Sequence, residues 1–337
     1  MRVVLILLRC VAAIAALGVI PSRAVTFGGQ YYVPVAQFAH ENGFHVSTAK
    51  GGGEAIVTGT RDTRLVFDVN SAQAGIDGIN VRLSYPVAAD HGQLFVSQMD
   101  IETAIRPLIF VQKPVAKRIT TICLDPGHGG RDTGNHVGGF ISHNEKTYTL
   151  ALALELKRQL TLAGFHVILT RTKDVYVDLP ARPALANRNG ADLFISLHFN
   201  ATPVDKGEIE GPETYCITPV GAPSSNSHGE VEPSAIGTQA TPANRCEDRS
   251  LLLAYEMEKS LVQYLHANDR GVRRARFAVL RDATMPAILI EGGYMTNPRE
   301  GEKIYSSSYR AQMAAAIVKA VLAYQRLVSL SDVPSLH

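Results

Sequence analysis

Between residues 119 and 328 two kinds of apolar pattern alternate along the chain. The short unbroken runs ITTICL (119–124), FHVILT (165–170), ADLFISLHF (191–199), FAVLR (277–281) and PAILIE (286–291) read as buried strands. Between them the apolar residues recur three and four apart. In NEKTYTLALALELKRQLTLAG (144–164), Tyr148, Leu152, Leu156 and Leu160 share one helical face and Gly164 provides the stop. LPARPALANRNG (179–190) predicts a short helix, RSLLLAYEMEKSLVQYLHAND (249–269) a long one and SSYRAQMAAAIVKAVLAYQRLV (307–328) the closing one. Strand–helix alternation of this kind predicts an α/β fold, with a central mixed or mostly parallel sheet covered by helices on both faces.

Residues 30–112 have a different rhythm. Alternating runs such as RLVFDV (64–69) and QLFVSQMDI (93–101) are separated by GGG, DVNSAQAG and DHG, and one amphipathic stretch, VAQFAHENG (35–43), ends at a glycine. This predicts a small α+β domain, mostly strands. VQKPVAKR (111–118), with its proline and three basic residues, contains a linker over 113–118, and the main domain then occupies 119–328. The first 24 residues carry Arg2 and Arg9, an apolar stretch from Val11 to Ile20, and then Ser22-Arg23-Ala24. That is the layout of a secretory signal peptide cleaved after Ala24. Its apolar run is short of the ~20 residues that span a bilayer. The expectation is export to the periplasm, envelope or exterior, with no integral membrane segment left after cleavage.

Composition adds exclusions. A chain of 337 residues, 46% hydrophobic and 19% charged, is globular and long enough for one large domain plus a small one. Losing Arg2, Arg9 and Arg23 with the leader takes the formal charge from +2 to −1, so there is no electrostatic case for nucleic acid as partner. Of the remaining cysteines, Cys123 reads as a packed thiol. Cys216 and Cys246 bracket a loop-like stretch and could pair in an oxidising compartment, contributing about 3 kcal/mol by the chain-entropy model.

The candidate chemistry lies where strands end. Functional groups of open α/β sheets collect beyond the carboxyl ends of strands. His128 follows the first strand in DPGHGGRDTG, His198 ends ADLFISL, Glu291 ends PAILI, and Glu145 opens the helix after the histidine turn. Gly127, Gly129 and Gly130 let that turn fold tightly enough for His128 to point inward. Two imidazoles and one carboxylate form the ligand set of an open zinc site that keeps a position for water. Glu291, flanked by Gly292 and Gly293, is then placed to take the water's proton and return it to a leaving amine. Such a constellation fits amide hydrolysis. His40, His45, His91, His136, His143, His166, His228 and His266 read as surface or packed histidines.

Taken in order, DPGHGGRDTG (125–134), NEK (144–146), LTRT (169–172), LPARPALANRNGADLFISLHFNA (179–201), GPETYCIT (211–218) and DRGVRRARFAVLRDATMPAILIEGGYMTNP (269–298) resemble the zinc-dependent N-acetylmuramoyl-L-alanine amidases of the amidase-3 type. The match runs from Thr120 to about Tyr324. It implies one zinc ion bound by His128, Glu145 and His198, with Glu291 as catalytic base. It also implies peptidoglycan as substrate, cut between the lactyl group of N-acetylmuramic acid and the first alanine of the stem peptide. The residues alone reach only a secreted zinc amide hydrolase, so two rivals stand. One is a zinc carboxypeptidase or endopeptidase acting within the stem peptide; the other is a catalytically silent wall-binding protein, which the presence of all four side chains disfavours.

VPVAQFAHENG, GINVRLSYPV and LFVSQMDIETAIRPL resemble a copper amine oxidase N-terminal-like domain. Arg171, Arg182 and Asn187 read as hydrogen-bonding ties between helices and sheet, and Asp125 and Asp132 as acceptors for backbone donors in the glycine turn. Arg273, Arg274, Arg276 and Arg281 read as solvated surface, with contact to stem-peptide carboxylates as the alternative. Some amidases of this type carry an inhibitory helix, displaced by an activator protein, where this chain has 217–250. Here that stretch is rich in turn formers and predicts no self-blocking helix, leaving a rim loop or lid as the alternative.

Overall fold

The computed structural model describes residues 25–49, 52–60, 63–110, 118–138, 142–204, 207–224 and 239–329. The expected leader, most of the linker, His228 and the middle of the 217–250 stretch lie outside the described residues.

Alternation of side chains sets the layering. In Thr121–Pro126, Ile122 and Leu124 enter one core and Cys123 the other; in Leu193–Asn200, Ile195 and Leu197 oppose Phe194; in Ala287–Tyr294, Ile288 and Ile290 oppose Ala287 and Leu289. Strands buried on both faces need cover on both. The long helices Glu145–Leu162, Glu247–Leu265 and Ser307–Val328 share the first core, while Ala181–Arg188 and Ala278–Arg281 contribute to the second. The predicted mixed sheet with helices on both faces is therefore what forms. The helix face made by Leu152, Leu156 and Leu160 is buried as the periodicity requires.

His166–Leu169, Thr121–Pro126, Leu193–Asn200 and Ala287–Tyr294 lie side by side, each pair parallel. Glu213–Cys216 then runs antiparallel to Ala287–Tyr294, and Val272–Arg274 runs parallel to Glu213–Cys216. The carboxyl ends of the parallel strands and the amino ends of these two consequently meet at one edge, where His128, His198, Glu291 and Glu213 stand. Beyond them the sheet continues without a break. Val272 pairs with Val81, and Ile79–Arg82, Gln73–Ile76, Arg64–Asp68, Glu54–Thr58 and His45–Thr48 follow as an antiparallel meander, completing eleven strands. A separate four-stranded sheet holds Val25–Phe27, Gln30–Pro34, Ala88–Asp90 and Gln93–Ser97.

Three local expectations differ from the structure. FAVLR is a helical turn, Ala278–Arg281, with Leu280 N donating to Phe277 O at 2.9 Å; a short apolar run has no periodicity to separate the two states. The strand in that region is Val272–Arg274, whose charged sequence concealed it. QLFVSQMDI is a strand only to Ser97, whose hydroxyl accepts from Asp100 N at 3.0 Å and starts a helix. Cys216 and Cys246 are both free thiols, their Sγ atoms turned to the carbonyls of Arg273 and Thr284 respectively.

One buried ion pair fixes the turn that carries His128. Asp125 and Arg182 are 0% and 1% exposed and meet at 2.9 Å. Thr170 and Ser196 hydroxyls complete the carboxylate, at 2.5 and 2.8 Å. Arg182 also donates to the carbonyls of Pro126, His128 and Val177, and Arg171 to those of Pro126, Gly127 and Lys146. Asp125 thus answers side chains rather than the backbone donors expected of it. The two arginines tie down the turn itself, and Asn187 bridges to Asp282 O and Thr284 N as a tie between elements. Replacing Arg182 by Ala strands a carboxylate without its cation, so Arg182→Ala should cost about 3–5 kcal/mol in urea unfolding. Arg188→Ala, at an exposed position of the same helix, should stay within about 0.5 kcal/mol.

Candidate functional site

The histidine turn is built on close approach. His128 itself has φ +60°, a left-handed conformation that an L residue adopts at a cost. A Cβ on Gly127 would lie 2.3 Å from His198 Cε1, and one on Gly134 2.5 Å from His128 Cδ2 and 2.6 Å from Glu145 Oε2. Only glycine allows the two imidazoles and the helix start to converge.

They converge on Glu145. Its carboxylate is 1% exposed, with Oε2 3.0 Å from His128 Nε2 and Oε1 3.0 Å from His198 Nδ1. Asn135 N donates to Oε2 at 2.8 Å and Phe199 N to Oε1 at 3.0 Å. The imidazoles meet edge to face with centroids 4.9 Å apart. One ligand atom from each of His128, Glu145 and His198 lies within 4.8 Å of the others, so this trio could hold a metal ion. Asp132 receives His128 Nδ1 at 2.9 Å and Gly134 N at 3.0 Å. The first contact orients the ring and leaves Nε2 toward the centre; the second is the backbone role expected of Asp132.

Glu291 lies on the adjacent strand, in register with His198, so both side chains leave the sheet on one face. Its Oε2 is buried and accepts no hydrogen bond among the described residues. Burial raises its proton affinity well above the ordinary carboxylate range, and the charges of Glu145 and Glu213 add to the effect. For Glu145 burial acts in the same direction, but hydrogen bonds from His128 and His198 outweigh it and hold the carboxyl below its usual range. Burial opposes a proton on His128, yet Glu145 and Asp132 overcome it and raise the imidazole above its ordinary value.

The four sequence-predicted residues thus line one cleft of 1120 Å³, together with Asn200, Arg270, Arg273, Phe277 and Tyr294. The other described histidines stay outside the trio. His143 stacks on Tyr305 with ring centroids 3.7 Å apart, and His136 bonds Asn144. Arg273, Arg274 and Arg276 depart from the solvated surface expected of them. Arg273 pairs with buried Glu213, while Arg274 and Arg276, 4% and 2% exposed, donate to the carbonyls of Ile217 and of Pro219 and Ala222. Glu213, the first residue of the buried strand ETYC, is a functional residue that the apolar pattern does not mark.

Residues 122–323 match the sequence profile of the N-acetylmuramoyl-L-alanine amidase family. The chain belongs to this family. Among its relatives, the N-acetylmuramoyl-L-alanine amidase AmiC of Neisseria meningitidis is 34% identical over 61% of this chain and 53% of its own length. The amidase AmiA of Escherichia coli is 30% identical over 63% of this chain and 79% of its own. This chain therefore spans about half the length of the first relative and more of the second. The solved amidase AmiC2 of Nostoc punctiforme is 29% identical over 63% of this chain and 99% of its own, with TM-score 0.50. The catalytic domain of the amidase CwlV from Bacillus (Paenibacillus) polymyxa is 27% identical over 62% and 99%, also with TM-score 0.50. The family is one of hydrolases, and its sheet with flanking helices is the one described above. No helix among the described residues is long and apolar enough to cross a membrane.

Because His128 holds its proton above the ordinary imidazole range, a divalent ion must displace that proton to bind. Affinity, measured against a competing chelator, should fall by about tenfold per pH unit for one displaced proton once the pH drops below the His128 pKa. An affinity flat between pH 8 and pH 5 would contradict the assignment of His128 as a ligand.

Proposed function

We propose that residues 119–328 hydrolyse the amide between N-acetylmuramic acid and L-alanine of peptidoglycan, with zinc held by His128, Glu145 and His198 and with Glu291 as the base. The observation that carries this reading is the convergence of two imidazoles and a buried carboxylate beside a buried carboxylate oxygen with no hydrogen-bond partner among the described residues. A two-nitrogen, one-carboxylate set suits zinc and leaves a position open. Zinc, when bound, supplies Lewis acidity to the scissile carbonyl and lowers the pKa of water to about 7.

The chain's own groups supply the rest. Asp132 fixes the His128 ring by its contact with Nδ1, which keeps Nε2 directed inward. Glu145, locked by two backbone amides and two imidazoles, cannot swing toward the cleft as a competing base. Glu291 has the free Oε2 and the raised proton affinity that let it take a proton from attacking water, retain it, and hand it to the leaving alanine amine. The relatives bearing the amidase name support the choice of bond, and a cell-wall substrate places the work in the envelope. Nucleic acid has no part in this chemistry.

Elemental analysis of the purified protein should find one zinc per chain, and mass spectrometry of digested peptidoglycan should find free L-alanine amines on released stem peptides. Fragments cut within the peptide would instead identify a carboxypeptidase or endopeptidase. Glu291→Gln should keep its zinc and lose about 10²–10⁴-fold in turnover, while His128→Ala should lose both metal and activity. Hydrolysis at wild-type rate by either variant overturns the site.

A further inference from the structure

The edge that carries His198 and Glu291 extends to a further strand, and there the cleft changes character. Glu213 stands opposite Glu291 in the antiparallel register, so the two side chains leave the sheet on the same face. Glu213 is wholly buried. Its Oε1 accepts from Asn200 Nδ2 at 2.7 Å and from the Tyr294 hydroxyl at 2.6 Å, and Oε2 from the Tyr215 hydroxyl at 3.3 Å. Arg273 Nε closes on Oε2, and Arg270 Nε lies 3.8 Å from Oε1.

Two guanidinium groups therefore share a single carboxylate, which leaves one positive charge in excess on this wall. Of the other ionisable groups lining the cleft, Glu291 has no ion-pair partner among the described residues and the rest are paired. Arg182 is matched by Asp125, Asp132 by His128, and Glu145 by both imidazoles. Arg270 and Arg273 face the cleft, at 28% and 22% exposure. No hydrogen bond among the described residues occupies their terminal nitrogens. Arg270 is steadied with its guanidinium carbon 5.0 Å over the Tyr294 ring. Guanidiniums held in this way present a planar fork that matches a carboxylate.

Spacing sets how far from the scissile amide such a carboxylate would stand. Adjacent strands lie about 4.8 Å apart, so the Glu213 strand is about 10 Å from the His198 strand. Two extended residues span about 7 Å, and an arginine leaning into the cleft bridges the remainder. We propose that Arg270 and Arg273, clamped by Glu213, form a subsite for a free carboxylate carried by the second stem-peptide residue, the one following the alanine whose amine is freed by cleavage. This rests on the amidase reading above and extends it to substrate choice.

The test compares two N-acetylmuramoyl tripeptides that differ only at the second residue, which carries a free carboxylate in one and the matching carboxamide in the other. N-Acetylmuramoyl-L-alanine serves as a truncated control. The full-length zinc protein should prefer the free acid by about tenfold or more in kcat/KM, equivalent to about 1.4 kcal/mol. In Arg270→Gln that ratio should collapse toward one, and Arg270→Lys should restore part of it, since a point charge remains while the fork is lost. Thermal unfolding of each variant reports whether the cleft wall stands. Equal hydrolysis of both tripeptides by the wild type, or an equal fall on both in Arg270→Gln, overturns the subsite while leaving the amidase reading intact. Failure to cut any of the three substrates overturns both.

Discussion

A carboxylate removed from water needs a donor for nearly every lone pair, and Glu145 imposes that requirement on the whole site. At 1% exposure it is held by His128, His198 and the amides of Asn135 and Phe199. These donors come from the histidine turn, from the loop before the helix and from the end of a central strand. Left unpaired, a buried charge would be expelled or neutralised. The three segments therefore stand in one arrangement or not at all, and the arrangement that satisfies Glu145 is also one that gathers metal-binding atoms. The same contacts bring one ligand atom from each of His128, Glu145 and His198 close enough together that the trio could hold a metal ion.

The next layer prevents that arrangement from relaxing. A turn containing a left-handed histidine and several glycines has little intrinsic preference for its observed shape. Arg182 and Arg171 supply it by donating to consecutive carbonyls from Pro126 to His128. Each arginine is anchored in turn, Arg182 on Asp125 and Arg171 on Thr149. Rigidity at the histidine turn is thus borrowed from a buried polar network below it, where side chains cannot rearrange without losing several bonds together.

The legible part of the molecule was the part in which one residue type carries one signal. Apolar runs of six to nine residues located the parallel strands, and polar side chains at or after the ends of those runs located His128, His198 and Glu291. Glu145 was legible because a helix start follows the histidine turn directly. Arginine-rich Val272–Arg274 was not, since each of its arginines meets an acceptor on a distant segment: Arg273 meets Glu213, and Arg274 the carbonyl of Ile217. A strand whose polar ends meet buried acceptors looks solvated until its partners are known. Glu213 failed to register for the complementary reason, because its cations come from a segment more than fifty residues away. The continuity of the sheet from Val272 to Val81 was equally hidden. Pairing between strands so distant in the chain leaves no periodic trace in either.

That continuity bears on the cleft. Residues 269–274 are gripped from both sides. On one side Asn80 N donates to Asp269 Oδ2 at 2.7 Å, Gly271 lies so close to Asn80 that a Cβ would approach its carbonyl oxygen to 2.8 Å, and Val272 pairs with Val81. On the other side Glu213 holds Arg270 and Arg273. Buried Glu258 reinforces the junction, accepting from Gly271 N at 3.2 Å and from the Thr214 hydroxyl at 2.7 Å. The N-terminal strands are in this sense part of the cleft's construction. They fix the backbone from which two cleft-facing arginines extend, and only a few residues separate the Asn80 contacts from those arginines.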